Sequence, residues 1–177
     1  MGLIPGRCFH HISKKPYTRI SISKPRRSYV KGVPVSKIHQ FEMGDIKNHS
    51  RFPLVYSIVI REERQLRSNC LEAARQSATK YLTASLGEMG FFLKIRPFPH
   101  HVLRNNPMAT GAGADRFSQG MRMSWGKPIG QAARVYPEQR IMTARVPAGK
   151  DDIVKEALRR ASHKLSGIYS ITKENKA

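Results

Sequence analysis

The chain has 177 residues, with 32 lysines and arginines against 12 acids, a formal net charge of +20 and a pI near 10.6. That length suits one domain with a real core, without a disulfide or metal staple. A charge of that size destabilises the compact state by self-repulsion and points to a polyanionic partner. No apolar run approaches the roughly 20 residues that span a bilayer, and no signal-peptide apolar core is present. Cys8 and Cys70 are too few and too far apart for a disulfide framework or a cysteine zinc site. A reduced, cytoplasmic setting is expected.

The excess charge is uneven. Residues 1–40 carry 9 basic and 0 acidic residues, 41–93 carry 7 and 6, 94–145 carry 9 and 2, and 146–177 carry 7 and 4. The two basic stretches form the electrostatic footprint. The middle reads as an ordinary folded module.

Residues 1–37 read as an extended basic arm, its cations interleaved with Phe9, Tyr17 and Tyr29. Tyr17 to Ser23 alternates like a short strand. Two readings are open: a disordered tail, or an arm that orders on RNA, with cations on phosphates and rings on bases or on the protein. Residues 38–172 read as the folded domain, and 173–177 as a loose tail.

Lys37 to Met43 is expected to be a first strand, and Phe52 to Ile60 is the strongest strand signal, β-branched and aromatic. From Glu62 the spacing changes. Leu66, Cys70, Ala73, Ala74, Ser77, Tyr81 and Leu82 recur every three or four residues, which predicts a helix of about 20–25 residues ending at Gly87. Glu62, Glu63, Arg64 and Arg67 would lie on its solvated face. Phe91 to Ile95 is another strand and leads into a long basic loop, about 97–130.

His100 to Leu103 can extend a strand, which Asn105-Asn106-Pro107 breaks. Asp115 can cap a short helix, with Phe117, Met121 and Trp125 as one core-packed stripe and Gly126 and Pro128 as its end. Gln131 to Val135 and Arg140 to Val146 follow as strands around a Pro137-Glu138 turn. Gly149 to Asp152 opens a second helix with Ile153, Ala157, Ala161 and Leu165 buried, ending at Gly167. Ile168 to Ile171 is a last strand. Strand–helix–strand passages on either side of a basic loop give an α+β domain with two main helices. The pairing, mixed or antiparallel, stays open.

The chemistry carried by these residues is recognition. His100 and His101 could serve as an acid and base for RNA cleavage. Neighbours on a strand point to opposite faces, however, so they would not converge on one bond. The glycines at Gly111 and Gly113 could present backbone N–H groups to a phosphate, or could simply let the chain turn. They match neither a Walker loop nor a dinucleotide fingerprint. No carboxylate pair in the loop could hold a catalytic magnesium, and no metal or cofactor is expected. The irregular, glycine- and proline-containing basic segments suit RNA better than the major groove of DNA.

The strings PGRCFHHI, KPYTR, VPVSKIHQFEMG, LEAARQSATKYL, PHHVLRNNPMATGAGADRFSQGMR, WGKPIGQAARV and KEALRRASHKL, in this order, closely resemble the L-ten-e family of ribosomal proteins. This is the archaeal and eukaryotic branch of the universal L-sixteen family of the large subunit. The short C-terminus is similar to the archaeal form, while Ile20 to Ser28 departs from the family pattern. The resemblance implies an α/β-hammerhead-type domain in the cytoplasmic large ribosomal subunit, with rRNA and neighbouring ribosomal proteins as partners, no homo-oligomer and no catalysis. It implies a position beside the aminoacyl-tRNA path, with the loop reaching toward tRNA and the peptidyl transferase centre and poorly ordered off the ribosome.

The residues expected on rRNA are Arg7, His10, Lys14, Arg19, Lys24, Arg26, Arg27, Arg96, His100, His101, Arg104, Arg116, Arg122, Lys127 and Arg134. Those expected nearest tRNA are Asn105, Asn106, Met108, Ala109, Thr110, Gly111, Ala112 and Gly113. Two other readings stay open: a free RNA-binding regulator, and an RNA-processing enzyme using His100 or His101.

Overall fold

The β-branched run Leu54–Ile60 becomes a strand bonded on both sides, to Arg140–Val146 and to Tyr169–Glu174. The computed structural model describes residues 3–9, 11, 12, 30–116 and 118–174, with Arg7 described by its backbone alone. Over these residues the chain runs β1 (Glu42–Gly44), β2 (Leu54–Ile60), β3 (Arg64–Arg67), α1 (Ser68–Leu86), β4 (Phe92–Ile95) and β5 (His101–Asn105). It continues through β6 (Lys127–Val135), β7 (Arg140–Val146), α2 (Asp151–Ser162) and β8 (Tyr169–Glu174). The strands form a five-stranded sheet, β1-β4-β7-β2-β8, and a three-stranded sheet, β3-β6-β5. All the pairings are antiparallel. This is the α+β domain expected from the alternating elements.

Period-two alternation decides what each face of the larger sheet meets. Tyr56, Ile58 and Ile60 of β2, Leu93 and Ile95 of β4, and Met142, Ala144 and Val146 of β7 enter one apolar core. There they meet Leu71, Ala74, Ala78 and Leu82 of α1 and Val154, Ala157, Leu158 and Ala161 of α2. The small residues on both helices let them pack on each other as well as on the sheet. Each fully buried Leu or Ile contributes about 1.5–3 kcal/mol. The intervening residues Glu42, Lys94, Thr143, Ser57 and Thr172 form one row across all five strands on the opposite face.

Helix α2 starts with Asp151 and Asp152 and ends with Arg159 and Arg160, charges that complement its dipole. Asp151 also accepts from Tyr56 Oη at 2.5 Å and from Lys173 Nζ at 2.8 Å, tying the first turn to β2 and β8. Helix α1 closes at Gly87, whose positive φ of 76° lets its N–H reach the Thr83 carbonyl at 3.0 Å.

Several expectations are corrected. The first strand is Glu42–Gly44, not residues 37–43. The first helix begins at Ser68, and Arg64–Arg67 form β3, so Leu66 is buried from a strand. Backbone bonding to β6 there outweighs the helical spacing. The second helix ends at Ser162, with Leu165 buried just beyond it. Lys173 and Glu174 end β8 and are not part of a loose tail. The two strands expected around Pro137 are present, and the pairing left open resolves with each in a different sheet. The suggested strand at Tyr17–Ser23 lies outside the described residues.

Candidate nucleic-acid interface

β5 and β6 pair from His101↔Ala132 to Asn105↔Lys127, with an irregularity between Leu103 and Arg104. The long loop is therefore shorter than its composition suggested. Residues 106–126 connect the two strands of a β-hairpin, and the ends of that connection are clamped. Arg104 donates to the Gly126 carbonyl at 3.2 Å, and the Asn106 amide donates to the Gly120 carbonyl at 3.0 Å. A Cβ at Gly126 would lie 2.2 Å from the Asn105 carbonyl, and the backbone there has φ of 71°, so only glycine fits.

Beyond the clamp the chain turns instead of forming a helix. Ala114–Arg116 is a single 3-10 turn containing Asp115. Further turns close through Arg122 N–H to the Gln119 carbonyl and Gly126 N–H to the Met123 carbonyl. Positive φ at Gly120 (56°), Met123 (59°) and Gly126 is incompatible with a continuous helix. The expected apolar stripe is accordingly absent as a core element: Met121 and Trp125 are 69% and 68% exposed, and Phe117 lies outside the described residues.

The hairpin base brings three expected cations together. Arg116, Arg122 and Lys127, all exposed, line one concavity of about 290 Å³ with Asn105, Asn106 and Asp115. Gln119 and Met123 line it too; they carry no charge, and the sequence reading passed over them. Between Arg104 and Lys127 there are four cations and one acid. Such a concavity suits a phosphodiester. Asn105 and Asn106 are half-buried at the base, while Pro107, Met108, Ala109, Thr110, Gly111, Ala112 and Gly113 are all exposed.

Arg104 lines a separate cavity, with His101, Gln65, His11 and Trp125. Arg134, half-buried on β6, pairs in register with Gln65. Arg96 belongs to neither group, because it follows β4 on the larger sheet and donates to Thr143 there. Of the expected arm residues, Arg7 lies in the turn Gly6–Phe9. His10, Lys14, Arg19, Lys24, Arg26 and Arg27 are outside the described residues. The described parts of the arm lie against the three-stranded sheet. Arg67 donates to the Ile4 carbonyl at 2.7 Å, the Gln65 amide donates to the His11 carbonyl, and Gln131 donates to the Pro34 carbonyl at 3.1 Å.

The two histidines diverge as strand alternation requires. His101 is 3% exposed, and its Nδ1 hydrogen-bonds with the Gln65 side-chain oxygen. Burial, reinforced by nearby Arg134, pushes its pKa below 6.5. His100 is exposed against Phe98, ring centroids 4.6 Å apart, and Phe98 stacks on Phe41 at 5.1 Å. His101 is thus the packed member of the pair and His100 the exposed one. A two-histidine cleavage site has no geometric support. Among the described residues no three His, Cys, Asp or Glu side chains group as metal ligands, and no helix is long and apolar enough to cross a membrane.

Comparison with known proteins places the chain in a family. The family model described as ribosomal protein L16p/L10e matches residues 14–172. A large ribosomal subunit protein uL16 from Staphylothermus marinus is 50% identical over 165 residues, covering 93% of this chain and 90% of its own. Its counterpart from Thermofilum pendens is 47% identical, with 93% of each chain covered. That of Methanocella arvoryzae is 43% identical over 177 residues, 100% of this chain and 98% of its own. With nearly its whole length matched, the chain belongs to the ribosomal protein L16p/L10e family.

Proposed function

We propose that this chain, a structural constituent of the large ribosomal subunit and not an enzyme, binds large-subunit rRNA through the cations at the base of its β5–β6 hairpin. The segment from Asn105 at the base through the exposed tip to Gly113 then extends toward tRNA on the aminoacyl-tRNA path beside the peptidyl transferase centre and helps shape tRNA accommodation during translation. The basic arm, residues 1–37, adds further phosphate contacts.

The observation that carries this reading is the convergence of Arg116, Arg122 and Lys127 on one concavity, with an exposed, uncharged tip beyond them. Positioning by backbone phosphates needs cations held at fixed spacing, and the clamped hairpin provides that. From Ala109 to Gly113 the tip carries only small, uncharged side chains, so its backbone can approach a nucleic acid closely, with the exposed Met108 beside it.

Binding of the full chain to deproteinised large-subunit rRNA, measured across salt concentrations, tests this. Affinity should fall steeply, by roughly 10³–10⁵ between 50 and 200 mM salt for 6–10 phosphate contacts. Arg116→Gln/Arg122→Gln/Lys127→Gln should weaken binding and flatten the salt dependence. Equal affinity of parent and triple variant at every salt concentration would end the proposal.

A further inference from the structure

We infer that the outer face of the five-stranded sheet is a second RNA-binding surface, which takes a phosphodiester segment through Lys94, Arg96 and Arg145. The chain then holds two RNA segments, one on each sheet. This inference rests on the rRNA-binding reading above and extends it to a face that the hairpin does not reach.

The face is defined by register. Phe92 and Lys94 alternate with the core residues Leu93 and Ile95 on β4, and they pair with Arg145 and Thr143 of β7. Among the described residues both helices pack on the opposite side. Lys94, Arg96 and Arg145 line a concavity of about 200 Å³ with Thr143, His49 and Phe92.

The cations there are held but not neutralised. Glu42 pairs with Lys94 at 2.6 Å, and Glu174 pairs with Arg140 at 2.9 Å. No acid among the described residues pairs with Arg96 or Arg145, so the face keeps an excess of two positive charges. Arg96 uses only Nε internally, on Thr143 Oγ1 at 2.8 Å, which leaves the two Nη groups directed away from that bond. A guanidinium fixed through Nε presents a fork that matches a phosphate.

The fixing is itself built. Thr143 Oγ1 is 3.0 Å from Ser57 Oγ, and Ser57 donates to Glu174 at 2.6 Å. This buried hydroxyl pair has a definite polar order that a merely solvated face does not need. His49 lies over Phe92 with centroids 5.1 Å apart and gives the concavity a partly aromatic wall beside the cations. Cations with an adjacent ring form the combination that takes a nucleic-acid strand, with backbone on charge and sugar or base on the ring. An acidic protein segment is the other conceivable occupant. The chain's +20 charge and the aromatic wall favour RNA.

Hydroxyl-radical footprinting of the full chain on deproteinised large-subunit rRNA decides the matter, using two sheet variants beside the hairpin variant Arg116→Gln/Arg122→Gln/Lys127→Gln. The parent protein should protect two separate stretches. Lys94→Gln/Arg96→Gln/Arg145→Gln should lose one stretch and keep the other, and should lower the slope of log affinity against log salt by about 2–3. Arg96→Lys/Arg145→Lys, which keeps the charge but loses the fork, should restore the lost stretch in part, above the level of the glutamine variant, and so separate charge from folding. If the sheet variant protects both stretches while the hairpin variant loses one, this inference is overturned and the rRNA-binding reading stands. If neither variant alters the footprint, both fail. A protein cross-linked to this face in assembled subunits, with no rRNA protected by it, also overturns the inference.

Discussion

Arg96 and Thr143 are joined by a 2.8 Å hydrogen bond from Nε to Oγ1 across neighbouring strands of the larger sheet. Thr143 is 2% exposed, so its hydroxyl requires partners, and it has Arg96 on one side and Ser57 on the other. Thr143→Val keeps the shape and removes the hydroxyl. It should cost about 1–2 kcal/mol in denaturant unfolding and release the Arg96 fork, weakening rRNA binding. Thr143→Ser should retain both properties. An unchanged unfolding midpoint for the valine variant would show that the bond carries no weight.

Gly126→Ala places a methyl group 2.2 Å from the Asn105 carbonyl. The base of the hairpin must open, while the core formed by the five-stranded sheet and the helices has no contact with the change. Amide exchange should speed up at β5 and at the start of β6 and stay slow in β2 and β7. Uniformly faster exchange would mean that the hairpin and the core unfold together.

His101 supplies a pH dependence with a definite sign. Burial holds its folded pKa below the ordinary 6.5, so the unfolded chain binds the proton more readily. Its contribution is complete above about pH 6.5 and is lost as pH falls from there toward the lower folded value. His101→Gln should remove this part of the acid destabilisation. Unfolding midpoints of parent and variant from pH 7.5 to 5 check it, and parallel curves would contradict it.

Two methionine and leucine positions test the reassigned stripe. Met121 is 69% exposed and Leu158 is fully buried. Leu158→Ala should cost about 2–5 kcal/mol, and Met121→Ala no more than about 0.5 kcal/mol. A comparable loss at Met121 would restore the helix that the sequence suggested.

The sequence was legible wherever local pattern and tertiary partner agree. The β-branched run of β2 and the small-residue spacing of α1 needed no knowledge of what they pack against. The four residues of β3 show the opposite case. No glycine or proline marks the boundary between Arg67 and Ser68, and only pairing with β6, 71 residues away in register at Arg64↔Val135, makes Arg64–Arg67 a strand. Met121 and Trp125 misled because i, i+4 spacing counts for helix only if the backbone between them is helical, and Gly120 already stood there as a warning.

At the site, the cations at Arg116, Arg122 and Lys127 were legible from composition and motif. Their convergence depends on the β5–β6 clamp, which no local pattern reports. Lys94 and Arg145 went unread because each lies singly between core residues. Their alignment appears only when β4 is placed beside β7.

The most direct test of the central claim uses a tethered cleavage reagent at the hairpin tip. Cys8 and Cys70 are first replaced by serine and alanine, and Gly111→Cys then carries an iron chelate that generates hydroxyl radicals. The labelled chain is assembled into large subunits with tRNA bound on the aminoacyl path. The account predicts cuts both in the tRNA and in the neighbouring rRNA. Cleavage of rRNA with the tRNA untouched, in subunits shown to hold tRNA, would contradict a tip that reaches the tRNA path.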